Sequence, residues 1–167
     1  MSTPPPPPTP PIPPTPPPGE PAEWLRLDRQ VCFALHAASR AFDAVYRRAL
    51  RDLGLTYPQY LVMLVLWEDG PLPVKRLGER LRLDSGTLSP LLKRLEGAGL
   101  VRRERSARDE RSVLVRPTEA GAALRERTAP VPRQITEATG LSLAEIHDLA
   151  TRLTRLTASL DEAAARL

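Results

Sequence analysis

Residues 83–116 read LDSGTLSPLLKRLEGAGLVRRERSARDERSVLVR, and this stretch decides the fold. Asp84 is a good N-cap for a helix. Leu88, Leu91, Leu92 and Leu95 then recur at steps of three and four, one buried stripe. Gly97 and Gly99 end that helix. Leu100 to Arg105 and Ser112 to Arg116 are short Val- and Arg-rich runs around the polar segment 106–111, which predicts a β-hairpin with a long loop. Upstream, Val74, Leu77 and Leu81 mark the inward face of a short helix joined to the first by a tight connection. Helix, tight connection, helix, two-stranded ribbon is the order of a winged helix-turn-helix, whose second helix enters a DNA major groove.

With the leucines turned inward, Ser85, Gly86, Ser89, Pro90 and Lys93 turn outward. Small residues let the backbone approach base edges, and hydroxyls and a lysine donate to bases or phosphates. Thr87 and Arg94 complete the candidate DNA contacts on this helix. Residues 101–116 hold six arginines against three acidic residues. Arg108 at the tip suits a minor groove. Arg102, Arg103 and Arg105 are expected at phosphates, and Arg111 is a further DNA-binding candidate. Asp109 is expected to pair with Arg111 and hold the loop. Residues 75–116 carry 12 basic against 6 acidic side chains, while the flanking segments are balanced, so the basic stripe is local and points to a polyanion.

Outward from this centre, Leu27, Val31, Leu35, Ala38, Phe42, Val45 and Ala49 form one face of a long helix that Gly54 closes. Tyr57 and Pro58 open a second helix, apolar almost all round and therefore buried. Gly70, Pro71 and Pro73 end it. Pro117-Thr118-Glu119 opens another, which Pro130 and Pro132 interrupt. Ser142 and Glu145 form a capping box for a last helix to about Ala164, with a stripe of Leu143, Ile146, Leu149, Leu153, Leu156 and Leu160. The first and last helices carry more apolar surface than one small winged helix covers, which predicts a symmetric dimer. The expected fold is mainly α with a small β-hairpin wing: a winged helix-turn-helix whose N- and C-terminal helices form a dimerisation region. The expected segments are a proline-rich tail (1–21), an N-terminal dimerisation helix (22–56), the DNA-binding domain (57–116) and C-terminal dimerisation helices (117–167).

Composition removes other classes. Thirteen of the 20 prolines lie between Pro4 and Pro21, a stretch that can neither helix nor pair in a sheet. One cysteine excludes an intramolecular disulfide and a cysteine-rich zinc site, and two histidines are too few for a usual His-based metal centre. No metal and no cofactor are expected. No apolar run reaches membrane length, and the N-terminus lacks the apolar region of a secretory signal, so a soluble cytoplasmic protein without a membrane partner is expected.

The run Leu83 to Glu96 resembles the recognition helix of MarR-type repressors, as Arg108-Asp109-Glu110-Arg111-Ser112 resembles their wing. Residues 30–40 (QVCFALHAASR) and 56–61 (TYPQYL) resemble, more narrowly, the organic-hydroperoxide-resistance regulators of that family. The likeness covers about residues 25–165 and excludes the proline tail. It implies a dimeric repressor of operator DNA, not an enzyme, with an organic hydroperoxide as inducer. Cys32 matches the family's redox-sensing cysteine. Tyr46 and Tyr57 match tyrosines that hydrogen-bond the cysteine of the other subunit. His36 stands where the family commonly has a third tyrosine, which alters the polar cage expected around the sulfur. The second cysteine of some members is absent.

A thiolate is the nucleophile in peroxide reduction. On a helix His36, Ser39, Asp43 and Tyr46 lie within about 40° of Cys32, yet Tyr46 is about 21 Å along the axis. Only an antiparallel partner helix brings a Tyr46 to a Cys32. If Asp28 is the N-cap, Cys32 is also near the helix's positive end; a helix beginning at Pro21 and Glu23 removes that help. Oxidation gives a sulfenic acid, which must persist, form a sulfenamide, or cap with a low-molecular-weight thiol as a mixed disulfide. Phe33, Phe42, Tyr60 and Trp67 are candidates for a pocket that prefers organic peroxides. The alternative is a MarR-type repressor that binds a small phenolic ligand non-covalently, with Cys32 a core residue.

Overall fold

The computed structural model describes residues 24–105 and 112–166. By its internal contacts the chain divides into two units, 1–40 and 41–167.

In the first unit, Leu27–Arg29 form a 3-10 turn, and helix α1 (Val31–Ala49) begins only after it. The helix expected from Leu27 therefore starts four residues later. Gln30 is extended (φ −84°, ψ 111°), its side chain donates to the Trp24 carbonyl, and Arg26 holds Asp28 at 2.9 Å. Asp28 is thus tied up in the turn and is not the cap. The Gln30 carbonyl instead accepts the N–H groups of Phe33 and Ala34 at 3.1 and 3.2 Å, which opens α1.

The second unit contains the end of α1 and the winged helix. Leu50 leads into a 3-10 turn (Arg51–Leu53) that Gly54 closes in the left-handed region at φ +67°. Helix α2 (Tyr57–Asp69) starts with a capping box between Thr56 and Gln59 and buries Tyr60, Val62, Met63, Val65 and Leu66. Strand β1 (Leu72–Pro73) leads directly into α3 (Val74–Leu81), and α4 (Ser85–Gly97) follows. Strands β2 (Val101–Arg105) and β3 (Val113–Pro117) pair antiparallel, Arg103 opposite Val115. The ribbon was expected to have two strands. It has three, because Leu72 and Pro73 pair with Val115 and Leu114 and give the order β1-β3-β2. Proline is tolerated there because β1 is an edge. Helices α5 (Glu119–Thr128), α6 (Val131–Thr139) and α7 (Leu143–Ala164) complete the chain, and α7 has the expected Ser142–Glu145 capping box.

One core holds the winged helix together. Leu66, Leu77, Leu88, Leu92 and Leu95 meet Val101 and Val115 of the sheet and Leu124 of α5. By contrast, neither α1 nor α7 buries a single side chain. Val31, Phe33, Phe42, Leu143, Leu149 and Leu160 are all exposed. Among the described residues no helix is long and apolar enough to cross a membrane.

Candidate functional site

Helix α4 is presented by its cap and its leucines. Asp84 Oδ1 accepts the Thr87 N–H at 2.8 Å, and the Thr87 hydroxyl donates to Oδ2 at 3.1 Å. Thr87, expected among the DNA contacts, is therefore engaged in closing the cap. Leu88, Leu91, Leu92 and Leu95 are buried, and Ser85, Gly86, Thr87, Ser89, Pro90, Lys93 and Arg94 are exposed. A side chain at Gly86 would press on Asp84 Oδ1 at 3.0 Å, so a residue without one lets the cap close.

The Thr87 backbone N–H, followed by its hydroxyl, holds the Asp84 carboxyl below the usual carboxylate range. A depressed folded-state pKa adds stability above the unfolded value and loses it as pH falls through the folded one. Thermal melting of the wild type is expected to weaken below about pH 4. The loss is smaller in Asp84→Asn, which caps without titrating. Equal acid losses in the two proteins would contradict the cap's role.

The wing's arginines divide. Arg103 is bound to Glu96 at the end of α4: its backbone N–H lies 3.0 Å from Oε1, and Nε and Nη2 lie 2.9 and 2.6 Å from Oε2. Arg102 pairs with Glu104 at 2.8 Å, and Arg116 approaches the same carboxylate at 3.4 Å. Arg102 and Arg103 were expected at phosphates; the structure pairs both within the protein. Glu96 was not anticipated. Its signal was a carboxylate in the last turn of a helix, where the dipole disfavours one unless a cation answers it. Hydrogen bonds from Arg103 hold the Glu96 carboxyl low, which keeps the clamp between α4 and β2 charged. Arg105, Lys93 and Arg94 are exposed and show no ion pair among the described residues. Arg108, Asp109 and Arg111, with the expected Asp109–Arg111 pair, lie outside the described residues.

The redox candidates fall in both units. Cys32 is the second residue of α1 and is exposed, its Sγ 4.0 Å from Gln30 Oε1. His36, one turn on, is also exposed, as is Phe33. In the second unit Tyr46 and Tyr57 stack with centroids 4.2 Å apart, and Tyr60 lies 6.1 Å from Tyr46. Burial, then the neighbouring phenols, pushes Tyr46 up to about 12, and burial raises Tyr57 as well. Both therefore stay protonated hydrogen-bond donors at neutral pH. Tyr60 and Trp67, expected as candidates for a peroxide pocket, pack with the core. Tyr60 is 3% exposed in the core, and the Trp67 Nε1–H donates to the Gly121 carbonyl at 2.9 Å. Among the described residues no cluster of His, Cys, Asp and Glu could hold a metal ion.

A family model described as the MarR family matches residues 55–113. The organic hydroperoxide resistance transcriptional regulator of Bacillus subtilis (strain 168) is 50% identical over 125 residues, 75% of this chain and 83% of that protein. This chain belongs to the MarR family. Its members are DNA-binding transcriptional regulators, not enzymes, and the winged helix described above is the family's DNA-binding fold. Among solved structures, reduced AbfR bound to DNA superposes with a TM-score of 0.70 at 36% identity, covering 83% of this chain and 97% of that one. Overoxidized AbfR bound to DNA gives 0.69 at 36% identity, covering 83% and 98%. AbfR is from Staphylococcus epidermidis.

Proposed function

We propose that this MarR-family regulator is a cytoplasmic homodimeric repressor that releases operator DNA when an organic hydroperoxide oxidises Cys32. The observation that carries the reading is an exposed cysteine in the first turn of a helix that has no fully buried side chain. Helices α1 and α7 supply the dimer surface, and the 50% identity to a hydroperoxide-resistance regulator supports the inducer class. Ser85, Gly86, Ser89 and Pro90 approach the bases, with Thr87 positioning them. Lys93, Arg94, Arg105, Arg108 and Arg111 meet the phosphates and the minor groove.

In the reaction the Cys32 thiolate attacks the outer peroxide oxygen. The O–O bond breaks, the sulfur is oxidised to a sulfenic acid, and the alkoxide takes a proton and leaves as the alcohol. Tyr46 and Tyr57 of the partner subunit donate hydrogen bonds to the anionic sulfur. His36 joins them in place of a third phenol. A low-molecular-weight thiol then condenses with the sulfenic acid, forming a mixed disulfide and water. Because AbfR is bound to DNA both reduced and overoxidized, release in this protein is assigned to the bulky adduct and not to oxygen atoms on sulfur.

The DNA half of the reading predicts a steep salt dependence. Five cations per protomer at the interface lower affinity by at least about a thousandfold between about 50 and 200 mM salt. A nearly flat dependence, measured by anisotropy on the protein's own upstream DNA, would contradict it. The sensing half is tested by comparing wild type and Cys32→Ser on that DNA with one equivalent of an organic hydroperoxide in the presence of a small thiol. Release from the wild type alone supports it. DNA that stays bound by both points instead to a non-covalent phenolic ligand.

A further inference from the structure

Arg82 is the one non-glycine residue with positive φ among the described residues, at +56°. A side chain with a Cβ is disfavoured in that region. The conformation makes the turn between α3 and α4. The Leu83 N–H returns to the Gly78 carbonyl at 2.9 Å, and Asp84, next in line, caps α4. An arginine beside a recognition helix is ordinarily read as a phosphate contact. Here, however, Nη2 donates to both carboxylate oxygens of Asp161, 2.7 Å to each, near the end of α7. Within the second unit and among its described residues, this is the one side-chain pair hydrogen-bonded between α7 and the winged helix.

We propose that Arg82 is a positioning residue, whose pair with Asp161 ties the C-terminal helix to the turn that aims the recognition helix. The inference rests on DNA binding by this fold and not on peroxide sensing. Arg82 is itself the residue that turns the chain from α3 into α4, so its anchor at Asp161 joins that turn to α7. The Asp84 cap and the first turn of α4 follow that turn. An exposed pair of this kind has a small effect by itself. The expected change in DNA affinity is therefore a few-fold per protomer and not a collapse.

The discriminating variant is Asp161→Asn, because the two readings give it opposite signs. Removing a negative charge and freeing a phosphate-binding arginine would tighten DNA binding and steepen the salt slope by about 0.9 per protomer. A positioning role instead predicts binding weakened about threefold per protomer, with an unchanged slope. The charge-swapped double variant Arg82→Asp with Asp161→Arg keeps the wild-type net charge, and aspartate tolerates the αL turn. It is expected to return affinity to within about twofold of wild type. Asp161→Asn binding as tightly as wild type, or a swap no better than the single variant, would overturn the proposal. So would a loss of affinity matched by an equal loss of thermal stability, since the pair would then merely hold the fold.

Discussion

Cys32→Ser is expected to hold operator DNA as tightly as the reduced wild type, and to keep holding it after treatment with a hydroperoxide and a small thiol that costs the wild type at least tenfold in affinity. Serine replaces one exposed sulfur by oxygen, so the core is untouched. Its hydroxyl does not attack a peroxide, so the chain of events stops at the first bond. In the wild type that chain ends in an adduct on the first turn of α1, a helix with no buried side chain of its own. A group added there, at the proposed dimer surface, has to displace what packs against it. A tenfold loss needs only about 1.4 kcal/mol of coupling, which a modest change in the spacing of two recognition helices supplies. Anisotropy with labelled operator reads the effect directly. A Cys32→Ser protein that still releases DNA would make this cysteine a structural residue.

Gly121→Ala is expected to destabilise the fold by about 3 kcal/mol or more. Gly121 lies in the first turns of α5, where a Cβ would sit 2.0 Å from the Leu100 carbonyl oxygen, 2.9 Å from its carbon and 3.2 Å from Met63 Cε. No flexible side chain stands at the closest point to yield. The Leu100 carbonyl is itself held by the Thr118 N–H at 3.0 Å, and the Gly121 carbonyl accepts the Trp67 indole. Helix α5 would have to move off the start of β2, breaking these bonds and opening the core at Met63. Gly97, at the end of α4, meets nothing within 4 Å, so Gly97→Ala is expected to stabilise by about 0.4–1 kcal/mol. Urea unfolding of the pair checks both signs. A Gly121→Ala protein as stable as wild type would contradict the contact.

The recognition helix was legible because cap and periodicity agreed: Asp84 closes its first turn and all four spaced leucines are buried. Other features were hidden for physical reasons. Strand β1 has two residues, too short for alternation to show, and one is a proline. Apolar spacing runs from Leu27 to Val31 without a break, yet the backbone between them is a 3-10 turn followed by an extended Gln30, so periodicity placed the start of α1 too early. Arginine count gave the wing its charge but not its partners. Glu96 is seven residues from Arg103 and meets it only once β2 folds back on α4. Aromatic residues gave the same ambiguity. Tyr60 and Trp67 belong to the core, whereas Tyr46 and Tyr57, expected as hydrogen-bond partners of a cysteine, stack on each other, which no spacing in the sequence announced. The link from Arg82 to Asp161 spans 79 residues and left no trace in local pattern.

The most direct test is to follow thiol and DNA on one sample. Reduced protein bound to its own upstream DNA is titrated with an organic hydroperoxide in the presence of a small thiol. Free Cys32 and bound DNA are then measured at each step. The expected result is that DNA leaves in proportion to the thiol lost, complete at one equivalent per protomer. DNA that leaves while Cys32 remains a free thiol, or that stays bound after the thiol is consumed, would contradict a repressor switched through Cys32.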